Sequence, residues 1–116
     1  MIETRPELNA VEVFMKSWRV YQEIIQHNYM FHRELSDSCR DVLERVRPGQ
    51  KLRILDLGCG DASMALPILT AERVACYVGC DLSQPALSIA RTELDKKQIT
   101  HRLICDDMTR VLSEQA

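Results

Sequence analysis

A short apolar run that ends in two glycines constrains the fold of this chain more than any other feature. Residues 52–57 read Leu-Arg-Ile-Leu-Asp-Leu, and Gly58-Cys59-Gly60 follows directly. A run of this length before a glycine turn is typical of a buried strand in a parallel sheet. Residues 74–80 form a second run of this kind, and residues 102–105 form a weaker third. The pattern predicts three parallel strands whose carboxyl ends open into loops.

Helical patterns separate the three predicted strands. Residues 63–72 and 84–97 both have the spacing of a helix. Ser83 offers an N-cap for the later helix, and Pro85 fits its first turn. Strand, helix, strand, helix and strand in this order predict a βαβαβ unit of the α/β, Rossmann-like class.

The sequence pattern in the first third of the chain predicts helices and no strands. Apolar residues recur at three- and four-residue spacing over residues 11–35, which is typical of one helical face. Residues 36–38 offer N-cap chemistry for a second helix, although one bent helix fits the same pattern, and Pro48-Gly49 ends the helix. We therefore expect an N-terminal helical cap, residues 1–49, before a Rossmann-like domain, residues 50–116.

The composition limits the classes of protein to which this chain can belong. Hydrophobic residues make up 46% of the chain and charged residues 28%, which is ordinary for a globular domain. The net charge of -2 gives no support for a nucleic-acid or membrane partner. Five cysteines without a CxxC pair and three scattered histidines predict no metal site. Without a signal peptide or an apolar run near the roughly 20 residues of a membrane span, we expect a cytoplasmic protein.

Acidic residues cluster at the predicted carboxyl ends of the strands. Asp56 and Asp61 flank the glycine loop, Asp81 follows the second run, and Asp106 with Asp107 follows the third. Open parallel sheets bind their ligands beyond these strand ends. The carboxylate of Asp81 lies 23 positions after the first loop glycine, close to the roughly 20 expected for a group that accepts from ribose hydroxyls. The spacing predicts a nucleoside site.

The charge of the glycine loop discriminates between nucleotide ligands. Asp56 and Asp61 surround the loop without any Lys or Arg, and like charges about 4 Å apart repel by about 4 kcal/mol at an effective dielectric constant near 20. The pyrophosphate of NAD meets this penalty, whereas the ammonium and sulfonium groups of S-adenosylmethionine are attracted. Ser63 stands where a dinucleotide loop has Gly or Ala, and the Gly-Lys-Ser/Thr of a P-loop is missing. The loop favours S-adenosylmethionine.

These motifs resemble those of class I, Rossmann-like S-adenosylmethionine-dependent methyltransferases. The first motif of that family resembles residues 55–61, its second residues 79–83, and its third, more weakly, residues 105–108. Ala62 departs from the pattern, because the family often has a third glycine there. The resemblance covers residues 50–110.

The resemblance implies a role for each motif. The carboxylate of Asp56 and the backbone of the glycine loop would hold the methionine moiety, and Asp61 would add a contact or cap a helix. Asp81 would take the ribose hydroxyls, with Leu82 on the adenine ring. In the N-terminal helices Tyr29 is the candidate contact, with Arg33 beside it for a carboxylate. The complete set of implied cofactor contacts is Asp56, Gly58, Cys59, Gly60, Asp61, Asp81, Leu82, Ser83, Asp106, Asp107, Met108 and Tyr29.

The same resemblance implies a seven-stranded sheet, of which these residues supply the first three strands, with the first strand central. Substrate loops and any catalytic base of such enzymes lie in the other part, so we assign no catalytic residue. We expect the cofactor-binding portion of a methyltransferase with a small-molecule acceptor, and a homo-oligomer formed through the exposed edge of the first strand. A non-catalytic S-adenosylmethionine-binding or scaffold protein stays open as an alternative, and an NAD-dependent oxidoreductase is less favoured.

Overall fold

The computed structural model describes residues 17–24, 26–27 and 32–115 of the 116-residue chain. The chain divides into two compact units, Met1–Leu35 and Ser36–Ala116. In the first unit, residues 17–24 are helical. Tyr29 and the question of one helix or two fall outside the described residues. The sequence-based boundary after residue 49 stays a prediction.

Helices and strands alternate along the second half of the chain. The elements in order are α1 (His32–Arg45), β1 (Leu52–Leu57), a 3-10 helix (Leu66–Ile68), β2 (Val74–Asp81), α2 (Gln84–Lys96), β3 (His101–Cys105) and α3 (Met108–Gln115). The three strands form one sheet in the order β1-β2-β3, and both pairs are parallel. The predicted parallel α/β arrangement is confirmed.

The helix predicted over residues 63–72 is wrong. These residues form turns, and regular helical geometry is limited to the 3-10 helix Leu66–Ile68. Pro67 lies at its centre, where it lacks an N–H donor and disfavours α-helical angles in the residue before it. Ala62, just upstream, has φ 64, a left-handed value that an α-helix does not contain.

Of the two alternatives for residues 36–38, the one in which a second helix begins there is wrong, because α1 begins at His32 and runs through them. The hydroxyl of Ser36 donates instead to the carbonyl oxygen of Met64 at 3.2 Å. The predicted stop is confirmed. α1 ends at Arg45, and Gly49 beyond it has φ 78, which glycine adopts without a steric cost.

Arg73, just before β2, ties the end of α1 to the sheet. Its guanidinium donates to the carbonyl oxygens of Leu43 at 2.7 Å, Val46 at 2.8 Å, Arg47 at 3.2 Å and Gln50 at 2.5 Å. The last carbonyls of a helix have no partner within the helix, and a cation is also attracted to this end of the helix dipole. The sequence pattern did not predict this anchor.

The core lies where α2 packs on the sheet. Ser83 caps α2 as predicted, because its Oγ accepts from the N–H of Ala86 at 3.3 Å and Pro85 lies in the first turn. The buried residues of α2 are Ala86, Leu87, Ala90 and Leu94. The last three join Tyr77 and Val74 of β2 in one cluster. Burial of such a face is the main stabilising contribution of a helix on a sheet.

The strands differ in how far they are buried. In β2 the residues from Tyr77 to Cys80 are buried in succession, as predicted. In β1, Arg53 and Leu55 are exposed, Leu55 to 37%, and the other four residues are half-buried. The prediction of a buried first strand is therefore wrong. β1 pairs with β2 alone among the described strands, which leaves its other edge unpaired. Within the described ranges, no helix is both long and apolar enough to cross a bilayer.

Candidate functional site

A cleft of about 130 Å³ lies at the carboxyl ends of the strands. Its walls come from the loop after β1, the end of β2 and the start of α3. The lining residues are Gly58, Cys80, Asp81, Leu82, Asp106, Asp107 and Met108. All but Cys80 are residues that the sequence predicts for the site. The parallel topology brings the three motifs to one edge of the sheet.

The glycine loop needs backbone angles that most residues avoid. Gly58 has φ 73 and Gly60 has φ 56, in the left-handed region that glycine occupies freely. Ala62, where the resembling family often has a third glycine, has φ 64. An alanine in this region costs about 1–2 kcal/mol. Ala62 is therefore held in a conformation that glycine would adopt at a lower cost.

The N–H groups of the glycine loop are already bonded within the fold. Gly58 and Cys59 donate to the carbonyl oxygen of Cys80 at 2.8 Å and 3.0 Å. Gly60 donates to Oδ2 of Asp81 at 3.0 Å. A loop that binds phosphate directs such N–H groups at the ligand. These three donors are directed at β2, so the loop does not offer them to an anion.

Asp81, the last residue of β2, is held at both carboxylate oxygens. Oδ2 accepts from the N–H of Gly60, and Oδ1 accepts from the N–H of Ser83 at 2.9 Å. Each oxygen has a second acceptor position. The carboxylate is therefore fixed in place and still able to accept from the two hydroxyls of a diol.

The two carboxylates after β3 have different surroundings. Asp107 precedes α3, and its Oδ1 accepts from the N–H of Thr109 at 2.8 Å and from the Thr109 hydroxyl. These hydrogen bonds lower the pKa of Asp107, as expected for an N-cap carboxylate. Asp106 accepts from the N–H of Asp107 at 2.7 Å, and its Oδ2 lies 3.6 Å from Arg110. Both carboxylates thus line the cleft, and Asp107 also stabilises the start of α3.

Asp56 lies inside β1, and Tyr77 of β2 donates its hydroxyl to Asp56 Oδ2 at 2.6 Å. Burial, followed by the bond to Asp56, raises the pKa of Tyr77. Asp56 lines a separate, mostly apolar cavity of about 440 Å³ between α1 and β1. The structure therefore does not bring Asp56 into the cleft that contains Asp106.

Cys59 faces the interior of the domain rather than solvent. Burial, followed by the charges of Asp56 and Asp81, raises the pKa of the Cys59 thiol to about 12. A Cβ built on Gly79 would lie 2.9 Å from Cys59 Sγ and 3.0 Å from Tyr77 Cε1. Sequence reasoning gave no role to Gly79. A glycine inside an apolar strand often marks such a close approach. The position of Gly79 within the apolar run of residues 74–80 is therefore the sequence signal that could have predicted this contact.

The remaining predicted residues have local roles or lie elsewhere. Asp61 is only 7% exposed, and its Oδ1 accepts from the N–H of Ser63 at 3.0 Å. The bond closes a turn, and no α-helix follows for Asp61 to cap. Arg33 donates to the carbonyl oxygen of Gln26 at 2.9 Å. In the part of the chain that the structure describes, no group of three His, Cys, Asp or Glu side chains is placed to bind a metal ion.

The sequence profile of a family described as "Methyltransferase domain" matches residues 54–116. No curated protein is similar enough in sequence to match the chain.

Solved structures share the fold at low sequence identity. The SAM-dependent methyltransferase from Agrobacterium tumefaciens is 19% identical with a TM-score of 0.56, over 80% of this chain and 27% of that one. Magnesium protoporphyrin IX methyltransferase (ChlM) from Synechocystis PCC 6803, solved with bound SAM, is 18% identical with a TM-score of 0.59, over 92% of this chain and 57% of that one. The plantazolicin methyltransferase BpumL, in complex with a triazolic desmethylPZN analog and SAH, is 24% identical with a TM-score of 0.54. The match covers 79% of this chain and 34% of that one. The chain thus spans 27% to 57% of the length of these structures.

Proposed function

The chain belongs to the methyltransferase-domain family, and from that premise we propose that it is the cofactor-binding part of an S-adenosylmethionine-dependent methyltransferase. One observation carries the proposal. The glycine loop directs the N–H groups of residues 58–60 into the fold, while carboxylates lie at the ends of all three strands. Such a site repels a pyrophosphate and attracts a cationic nucleoside. S-adenosylmethionine supplies, when bound, an electrophilic methyl group on sulfur.

We propose that the cleft binds the adenosine part. Asp81 has one acceptor position left on each oxygen, which suits the two ribose hydroxyls. Leu82 beside it is 74% exposed, and an adenine ring would cover this apolar surface. Asp106 would accept from the adenine amino group, with Met108 against the ring edge. Ser83 and Asp107 support these groups by capping α2 and α3.

The methionine part would lie over the glycine loop. Its ammonium group requires acceptors, and Asp56 provides a carboxylate oxygen, Oδ1, that forms no hydrogen bond within the described ranges. Gly60 leaves open space above the loop, since a Cβ there would meet nothing within 4 Å. Tyr29 stays a proposed contact from the N-terminal helices.

The contribution of these residues to methyl transfer would be alignment of the methyl group with its acceptor. No residue of the chain is proposed as a general base. We propose a small-molecule acceptor, because the net charge of -2 provides no general attraction for nucleic acid. The names of the magnesium protoporphyrin IX and plantazolicin methyltransferases are consistent with an acceptor of that size.

Calorimetric titration tests the proposal directly. We expect the protein to bind S-adenosylmethionine and S-adenosylhomocysteine and not to bind NAD. The variant Asp81→Asn should weaken binding by about tenfold or more, because an amide replaces one charged acceptor. Asp95→Asn is the matched control, since Asp95 is an exposed residue of α2 that faces His101 at the amino end of β3.

The result also separates the alternatives. Binding of NAD alone would favour an oxidoreductase and overturn the proposal. Binding of S-adenosylmethionine without turnover in a broad acceptor screen would favour a non-catalytic binding or scaffold protein.

We also propose that two copies associate through β1. Among the described strands, the other edge of β1 has no partner, so its backbone groups are available for pairing with a second copy. Leu55 adds exposed apolar surface on the same strand. Sedimentation equilibrium at micromolar concentration is the test, and a stable monomer would contradict this association.

A further inference from the structure

Tyr77 and Asp56 form a hydrogen bond that crosses from β2 to β1. The strands pair so that Ile54 is opposite Tyr77 and Asp56 is opposite Gly79. The Tyr77 hydroxyl lies 2.6 Å from Asp56 Oδ2, a distance typical of an O–H that donates to a charged carboxylate. The bond therefore joins an aromatic residue of the core to an acidic residue that borders the glycine loop.

The tyrosine ring has little freedom to move. Its side chain is fully buried, with 0% exposure. Gly79 lies so close that a Cβ there would be 3.0 Å from Tyr77 Cε1 and 2.9 Å from Cys59 Sγ. Close packing of this kind holds a side chain in one rotamer. The position of the Tyr77 hydroxyl is thus set by the core, independently of any ligand.

We infer that Tyr77 is a positioning residue for cofactor recognition, because its hydroxyl holds Asp56 Oδ2 and leaves Oδ1 turned toward the ammonium group of S-adenosylmethionine. This inference rests on the proposed function. The hydrogen bond from Tyr77 restricts the rotation of the Asp56 carboxylate. Without the bond, Asp56 would rotate among several orientations, and the ammonium group would lose a fixed partner.

The variant Tyr77→Phe tests the inference, because it removes the hydroxyl and keeps the ring. We expect the dissociation constant of S-adenosylmethionine to rise about tenfold, as for loss of a hydrogen bond to a charged group. The dissociation constant of 5′-methylthioadenosine, which has the nucleoside and lacks the amino-acid part, should stay within about twofold. A merely structural role would weaken both ligands. Thr92→Val, which removes a hydroxyl from the exposed face of α2, is the control.

A double-mutant cycle isolates the path through Asp56. In the Asp56→Asn background, Tyr77→Phe should leave the affinity for S-adenosylmethionine unchanged. Equal weakening of both ligands by Tyr77→Phe, or no weakening of either, would overturn the inference. If the wild-type protein binds neither ligand, the proposed function fails first and the inference fails with it. That outcome is distinguishable because it appears before any substitution is made.

A measurement on the wild-type protein keeps the inference testable if Tyr77→Phe does not fold. The buried Tyr77 hydroxyl proton is expected to exchange slowly with water and to give its own resonance by proton NMR. An ammonium group on Asp56 Oδ1 draws electron density from the carboxylate and weakens the bond from Tyr77. The resonance should therefore shift upfield with S-adenosylmethionine and stay in place with 5′-methylthioadenosine. The same shift with both ligands would contradict the inference.

Discussion

The guanidinium of Arg73 donates to the carbonyl oxygen of Leu43 at 2.7 Å, across 30 positions of sequence. The two residues join the end of α1 to the start of β2. The same side chain donates to three further carbonyl oxygens, those of Val46, Arg47 and Gln50. One arginine therefore supplies hydrogen-bond donors for carbonyl groups at a helix end that have no partner within the helix.

Removal of this side chain should destabilise the fold without touching the ligand site. We expect Arg73→Ala to lower the free energy of unfolding by about 2 kcal/mol, since several charge-assisted hydrogen bonds are lost. Arg73→Lys should lose less, because an ammonium group retains the charge and some of the bonds. Urea unfolding measures both, with Arg91→Ala on the exposed side of α2 as the control. Equal stability of Arg73→Ala and the wild type would contradict the prediction.

Gly79 should tolerate no side chain. The added methyl group of Gly79→Ala would lie 2.9 Å from Cys59 Sγ and 3.0 Å from Leu103 Cδ2, too close for van der Waals contact. We expect a loss of about 2–3 kcal/mol in the free energy of unfolding, as for overpacking elsewhere. In a Cys59→Ala background, where the sulfur is absent, the same substitution should cost less. A cost independent of Cys59 would show that the sulfur is not what limits the space.

Gly60 and Gly49 form a matched pair. Both have positive φ, 56 and 78, and at neither would a Cβ meet another atom within 4 Å. Alanine at either position should therefore cost about 1 kcal/mol of stability through backbone strain alone. Gly60→Ala should also raise the dissociation constant of S-adenosylmethionine, because the methyl group would occupy the space proposed for the ligand. Gly49→Ala should leave it unchanged, and equal effects on binding would argue against a ligand over the loop.

Alkaline pH should weaken the fold through Cys59. Its pKa is raised from 9.0 to about 12, so above pH 9 the unfolded chain loses a proton that the folded chain keeps. The stabilising contribution is therefore complete below pH 9 and is lost as the pH rises toward 12, at up to about 1.4 kcal/mol per pH unit. Cys59→Ala should show a shallower decline over this range in urea unfolding. Parallel curves for the two proteins would contradict the assignment.

How far the sequence predicts the structure depends on the range of the interactions involved. The strands and α2 follow from local patterns, and parallel pairing then brings Gly58, Asp81 and Asp106 to one cleft. The prediction of a helix over residues 63–72 was wrong because Pro67 prevents a helix that the spacing of the apolar residues alone would allow. The contacts of Arg73 and Tyr77 depend on register and packing between distant segments, which apolar periodicity does not encode.

The bonds from the glycine loop to Cys80 and Asp81 imply that the loop is preorganised. Its backbone already has the shape in which β2 holds it, so a ligand would have little left to order on arrival. The conformational entropy of these residues is then lost during folding rather than during association. We expect the amide hydrogens of residues 58–60 to exchange slowly in the free protein, and their protection to change little when the cleft is filled.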